Sequence, residues 1–294
     1  MNDPSLNQFY FHPSNPITVD QNTSRNFELL NGVNNFSVSK SISIEQQNLL
    51  GSSNMFSIPN AACELTVSFD RSYLCKDPLF FLTGSDPLRH SFIKYNLDVL
   101  WFNNLYLTSY SAGFSVGELP IINTKFITYE SNIANSSLNS SLFNTNYFTY
   151  NPVILDSEIP TLGSISITGT CRDKLLLYNN IFSFDYSLDI KRQPYYSIGS
   201  RNPQNVKFIP PIVINFSVNS KISSYRDDQN FWPRYIEGDI SLKDNYYDFD
   251  IMVTGTNVGM TYPIKCAKFI SSEIQSSSTT TAEVKRNFIG YYGI

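Results

Sequence analysis

The sequence predicts an all-β protein: two similar β-sandwich domains from an internal duplication, with little helix. Three observations predict it. Apolar and polar residues alternate with a period of two through much of the chain, the signature of strands with one buried and one wet face. The composition supplies 22 Phe and 19 Tyr but only 16% charged residues, against about 25% in ordinary soluble proteins. Three sequence blocks recur in the same order at a spacing near half the chain.

The 294 residues favour two domains at about 150 residues each. Residues 1–24 read as a polar arm with Pro4, Pro13 and Pro16, and they lack the basic start and apolar stretch of a signal peptide. The first sandwich is expected over 25–131, an Asn/Ser-rich linker over 132–163 and the second sandwich over 164–294. Asn and Ser bond their own backbone and favour turns, hence the linker.

Strand signals run in order. Phe36, Val38, Ile42 and Ile44 share a phase, with Lys40 between them and Ser37, Ser39, Ser41 and Ser43 on the other. Leu65, Val67 and Phe69 alternate with Glu64, Thr66, Ser68 and Asp70. Further strands are expected at Tyr95–Phe102, Tyr106–Phe114, Thr124–Tyr129, Ser164–Thr170, Ile181–Ile190, Ile212–Val218, Tyr246–Val253, Ile264–Ile274 and Ala282–Ile289, all rich in β-branched and aromatic residues. Helical signal is confined to Asp77–Leu82, where Asp precedes Pro as an N-cap precedes a first helical residue, and to a weaker Asp227–Tyr235. Ser276–Thr281 reads as an exposed loop.

The repeat carries the domain argument. Phe36–Ile44 lies over Phe182–Ile190, with Phe, Ser, Ser and Ile at equal positions. Each segment then meets a Gly-Ser (Gly51, Gly199), an Ile-Pro (Ile58, Ile209) and an alternating strand (Leu65–Val67, Phe216–Val218). Leu105–Ser131 lies over Ala267–Gly293 without a gap.

The chemistry-bearing residues are sparse. His12 and His90 are the only histidines, and each sits outside any nucleophile motif; His90 is expected in a loop. Cys63, Cys75, Cys171 and Cys266 form no C-x-x-C pair and read as reduced, mostly buried thiols. Asp227-Asp228 and Asp248/Asp250 are the tight acidic pairs, the second on one strand face and expected to be solvated. No phosphate-binding glycine motif occurs, no apolar run approaches a membrane helix, and the net charge of −4 marks no general nucleic-acid binder. Asn135 and Asn139 sit in sequons that reflect Asn and Ser abundance. Tyr195-Tyr196 and Phe231-Trp232 suit sugar stacking or, more commonly, core and interface anchoring. No catalytic, cofactor-binding or metal-binding residue is expected, and no enzyme.

The chain resembles tail tube proteins of long-tailed bacteriophages. The likeness rests on the serine-rich strand Phe36–Ile44 running through Gly51 to Ile58, on the closing unit Leu107–Pro120 followed by Thr124–Tyr129, and on the return of both in the second half, ending Phe288-Ile-Gly-Tyr-Tyr-Gly293. The resemblance covers about two thirds of the chain, through patterns of residue kind. It implies a virion structural protein of β-sandwich fold: the major tail tube subunit, assembled in the host cytoplasm. Homo-oligomeric rings, hexameric or trimeric with six-fold appearance, would stack around a lumen that passes genomic DNA and would contact other tail proteins. A fused, doubled subunit accounts for the length. Another ring protein of the tail tip or neck, a carbohydrate-binding or adhesin β-sandwich, and a glycan hydrolase are the competing readings.

If each closing unit is a hairpin at a ring's inner wall, one strand phase faces the lumen. The candidates are Ser109, Ser111 and Ser115, with Ser271, Glu273 and Ser277 at the matching positions. None is basic, as a lumen that releases DNA requires, because Lys and Arg bind phosphate with counterion release.

Overall fold

The computed structural model describes residues 8–11, 28–30, 32–42, 44–48, 55–59, 63–72, 77, 79–80, 87–95, 98–129, 131–132, 159–161, 164–171, 174–178, 181–200, 202–222, 247–254, 259–277 and 280–292. Almost all of them are in antiparallel β-strands, so the fold is all-β. In the first half the strands are β1 (Gln8–Phe11), β2 (Glu28–Leu29), β3 (Val33–Ser41), β4 (Ile44–Asn48), β5 (Met55–Pro59), β6 (Glu64–Ser72), β7 (Leu88–Tyr95), β8 (Asp98–Ser115), β9 (Ile121–Thr128) and β10 (Ser131–Asn132). The second half continues with β11 (Ile165–Cys171), β12 (Lys174–Tyr178), β13 (Ile181–Asp189), β14 (Arg192–Tyr195), β15 (Asn205–Phe208), β16 (Val213–Ile222), β17 (Tyr247–Thr254), β18 (Gly259–Ser277) and β19 (Thr280–Tyr291).

The halves share one pairing order. In the first, β2, β1, β7, β8, β9, β6 and β3 follow one another across the sheet, with β4–β5 a separate hairpin. In the second, β12, β11, β17, β18, β19, β16 and β13 do the same, with β14–β15 the separate hairpin. Two ladders stand outside this pattern: β10 on β8, and β13 on β8, which joins the halves into one 15-stranded sheet.

The long strands β8 and β18 each change partner along their length. The N-terminal part of β8 pairs with β7 and the C-terminal part with β9; β18 pairs with β17 and then β19. Each bends at a residue with positive φ, Asn104 (54°) and Cys266 (51°). These residues immediately precede Leu105 and Ala267, where the gapless sequence match begins. A bulge follows in each, between Leu107 and Ser109 and between Phe269 and Ser271. The hairpin turn after β8 uses Gly117 at φ 86°, which costs a glycine nothing.

One hydrophobic cluster underlies both halves. Phe114 stacks on Phe184 at 4.8 Å across the junction, and Tyr262 meets both rings edge-on at 5.7 Å. Phe80 packs against Tyr110, Tyr262 and Tyr292 at 5.2, 5.0 and 5.9 Å. Such pairs contribute about 0.5–1.5 kcal/mol each beyond area burial. Asp77 fixes the segment that carries Phe80. One carboxylate oxygen accepts the Leu79 N–H at 2.8 Å, as the Asp-Pro start signal anticipates; the other pairs with the buried Arg71 guanidinium and accepts the Tyr110 hydroxyl at 2.8 Å.

Several expectations are corrected. β8 is one strand where two were expected, Tyr95–Phe102 and Tyr106–Phe114, because Asn104 bends the ladder without ending it. His90 lies in strand β7 opposite Asn103, not in a loop. Ser131–Asn132, at the expected linker boundary, pairs with Phe102 and Trp101; residues 133–158 lie outside the described residues. Phe36 and Val38 are half-buried and Ile42 is 49% exposed, whereas Phe184, Leu188 and Ile190 are buried; Phe182 is half-buried. The difference is position: among the described residues β3 is paired with β6 alone, whereas β13 is flanked by β8 and β16. Cys266 is exposed because it sits at the bend. The side chains of Ile44, Cys75 and Cys171, and residues 227–235, lie outside the description.

Pairing also moves the register of the match between the halves. Phe36 faces Phe69 in the first half, while Phe184 faces Val218 in the second. The strand bounds and the bulges, Val33/Asn35 and Ile181/Ser183, superpose β3 on β13 with Phe36 over Phe184. The sequence match put Phe36 over Phe182. A slip of one full pleat preserves every inside-outside assignment, so sequence periodicity does not detect it.

Candidate functional site

One face of the central sheet is largely polar across eight strands, in the order β3, β6, β9, β8, β13, β16, β19, β18, with exposed Ile121 and Ile270 and half-buried Ile289 set into it. Cross-strand partners form rows. Asn35, Asp70, Asn123, Ser111, Ser187 and Asn215 lie side by side. A neighbouring row runs Gly113, Asp185, Ser217, Asn287 and Ser271. Another runs Ser37, Ser68, Lys125, Ser109 and Asp189. The alternate residues of the same strands, among them Tyr110, Phe114, Phe184, Phe216 and Phe288, form the core.

Short side chains hydrogen-bond along the rows. Asn287 Nδ2 donates to Ser271 Oγ at 2.9 Å, Asn219 Nδ2 to Ser183 Oγ at 2.7 Å, and Ser217 Oγ to Asp185 Oδ2 at 3.1 Å. Ser37 and Ser68 hydroxyls meet at 2.7 Å. A shallow hollow of about 490 Å3 lies on this face, with Ser111, Asn123, Asp185, Ser187, Ser217 and Asn287 in its lining. Charge is mixed: Lys125 and Lys285 stand among Asp70, Asp185, Asp189 and Glu273, and Lys285 faces Glu273 across the β18–β19 ladder.

The candidate residues fall on this surface. Ser109, Ser111 and Ser115 are half-buried on β8, opposite Asp189, Ser187 and Ser183 of β13. Ser271 and Glu273 are exposed on β18. Ser277 is on β18 opposite Thr280, and its side chain is outside the description. Asn123, Asp185, Asn215, Ser217 and Asn287 belong to the same surface and were not singled out in the sequence. Their signal was the polar phase of each alternating strand, but which strands adjoin was not visible.

A second feature is the hairpin β14–β15, which crosses from the second half onto the first. Val206 clusters with Tyr106, Ile127 and Tyr129. Arg192 Nε donates to the Leu107 carbonyl at 2.9 Å, and its guanidinium lies over the Tyr106 ring at 5.8 Å from the centroid. Burial pushes the Arg192 guanidinium down to about 10, partly opposed by Tyr106. Burial drives Tyr129 well above the usual tyrosine range, with the Glu64 carboxylate beside it adding to the effect. The hairpin's far end exposes Tyr195, Tyr196 and Ile198.

Asp248 accepts the Cys266 N–H at 2.9 Å and pairs with Lys265 at 3.5 Å, so it braces the β18 bend. No group of three or more His, Cys, Asp or Glu side chains suited to a metal occurs among the described residues. No helix among them is long and apolar enough to cross a membrane. In comparison with known proteins, no family model matches the chain and no curated sequence matches it.

Proposed function

We propose that this chain is the tube subunit of a long bacteriophage tail, a duplicated virion structural protein of which three copies close a ring that looks six-fold. The rings stack around a lumen through which genomic DNA passes. The observation that carries the reading is the shared pairing order of the halves, with its bend and bulge at matching positions in β8 and β18. A subunit with two equivalent sheets joined edge to edge, β8 to β13, is built for continued edge-to-edge growth. Heterologous contacts of that kind close into rings when the rotation permits.

The polar face supports the lumen assignment. Its serines and asparagines are uncharged, and its lysines are interspersed with carboxylates, so passing phosphates meet no continuous basic track. The adhesin reading gains less support: the Lys207 ammonium lies over the exposed Tyr195 ring at 5.4 Å from its centroid, on a face that a sugar would need for stacking.

Negative-stain microscopy of the purified chain over a concentration series tests the proposal. Hollow rings or tubes with three-fold or six-fold end views are expected. Monodisperse monomers throughout, or particles with a solid centre, would overturn it.

A further inference from the structure

We infer that the hollow on the polar face of the central sheet is a binding site for a neutral carbohydrate, seated over Gly113 between Ile121 and Asp185. This goes beyond the tube reading and does not rest on it. The two are compatible, because a neutral ligand adds no charge for passing phosphates to meet.

The first observation is a glycine where the strand needs none. Gly113 lies inside β8, between Ile121 of β9 on one side and Asp185 of β13 on the other. Its φ is outside the left-handed region, so the backbone does not call for glycine. Packing does not call for it either. At Gly169 and Gly290 a Cβ would run into the buried Phe249 and Ile264 side chains. At Gly113, beyond its chain neighbours, the one atom of the described residues within 4 Å of that position is Asp185 Oδ1, at 3.2 Å. Asp185 is exposed, so its carboxylate has room to turn aside. A glycine inside a strand weakens it, and one that neither a turn nor the core requires marks a place where a ligand approaches the backbone closely.

The second observation is what surrounds the gap. Two strand spacings, about 9.5 Å, separate the backbone of Ile121 from that of Asp185, with no side chain between them. Ile121 is 51% exposed and offers an apolar surface to the C–H face of a sugar ring. Asp185 Oδ2 accepts the Ser217 hydroxyl at 3.1 Å, and a carboxylate has room for further donors. The ion pairs among the described residues are Arg71–Asp77 and Lys265–Asp248, so Asp185 stands without a cation. In the next row Asn123 Nδ2 donates to Ser111 Oγ at 3.4 Å. That leaves the Ser111 proton and the Asn123 carbonyl and second N–H for a ligand.

Donors and acceptors therefore alternate around the gap. A hydroxyl both donates and accepts, so the neighbouring hydroxyls of a sugar use both kinds. An anion would meet Asp185 with no Lys or Arg in the described lining. An alkylammonium only donates, so it would leave the Asn123 and Ser111 donors unused. The volume of about 490 Å3 lies within the range of about 300–1,000 Å3 typical of small-molecule sites. The lining continues through Ser217 and Asn287 to exposed Ile270, which gives a second apolar wall and room for more than one sugar ring.

An array of neutral, sialylated and sulfated glycans, probed with the fluorescently labelled chain, tests the site. Binding to neutral glycans and none to the acidic ones is expected. Asp185→Asn should weaken that binding at least tenfold and keep the melting midpoint within about 2 °C. Gly113→Val, which fills the gap, should abolish binding with the midpoint unchanged or raised, since Val suits a strand. If it lowers the midpoint instead, Asp185→Asn alone decides. Asp250→Asn, outside the hollow, should bind as the parent chain does. Failure to bind any neutral glycan, a preference for acidic ones, or binding that survives Asp185→Asn overturns the inference. So does binding of spermidine that Asp185→Asn removes while no glycan binds. The tube reading stands or falls separately, on the presence of rings in the microscope.

Discussion

Replacing Asp77 by Ala tests how the halves are held together. The Asp77 carboxylate is fully buried and faces the Arg71 guanidinium, whose side chain is 5% exposed. It also accepts the Tyr110 hydroxyl and the Leu79 N–H. Removing it leaves a buried cation without its counter-charge, which costs about 3–5 kcal/mol. The Leu79 N–H loses its acceptor and the Tyr110 hydroxyl is left with the Tyr262 hydroxyl at 3.5 Å, which adds to the cost where water does not reach them. It also frees the segment that places Phe80 among Tyr110, Tyr262 and Tyr292. Urea unfolding followed by tryptophan fluorescence should show the midpoint falling by about 1 M or more, for a slope near 3 kcal/mol per molar. If the loss comes from stranding Arg71, then Arg71→Met/Asp77→Leu, which removes both charges and keeps apolar volume, should be more stable than Asp77→Ala. A cost below about 1 kcal/mol for Asp77→Ala, or a double variant no better than the single, would refute the account.

Four further outcomes follow from the fold. Gly290→Ala should destabilise by about 1–3 kcal/mol, because a Cβ there would run into Ile264 Cγ2; chemical denaturation measures it. Cys266→Gly should be neutral or stabilising by up to about 1–2 kcal/mol, and Cys266→Val destabilising, because φ there is 51°; paired melting curves decide it. Ile190→Ala should cost about 2–5 kcal/mol, whereas Ile42→Ala in the monomer should change stability by no more than about 0.5 kcal/mol, given exposures of 2% and 49%. In alkali, burial holds the Tyr110 and Tyr186 hydroxyls well above their usual value, with Tyr262 and then Asp77 adding at Tyr110 and Tyr292 at Tyr186. The unfolded chain therefore ionises first: stability is intact below pH about 10 and falls above it by about 1.4 kcal/mol per pH unit for each tyrosine. Arg192, lowered to about 10, opposes one of them over the same window. Stability that rose steadily above pH 10 would contradict this balance.

Alternation along Phe36–Ile44, Leu65–Phe69 and Ile181–Ile190 was enough to establish strands and their wet and dry phases, because side-chain direction in a strand depends only on the parity of position. The same parity located Ser109, Ser111 and Ser115 on the polar face of β8. The Asp77-Pro78 start signal was legible for a similar reason, since a cap acts over a few neighbouring residues. Adjacency is different. Which strand lies beside β8 depends on contacts between Ser109–Ser115 and Ser183–Asp189, and no local pattern encodes them. Parity is equally blind to a slip of one pleat, so pairing with Phe69 and Val218 was needed to bring Phe36 over Phe184. Ile42 and Ile190 have the same kind of neighbours in sequence, yet one is exposed and the other buried. Only the tertiary structure decides that difference, because burial at a sheet edge is set by whether another strand stands beside it.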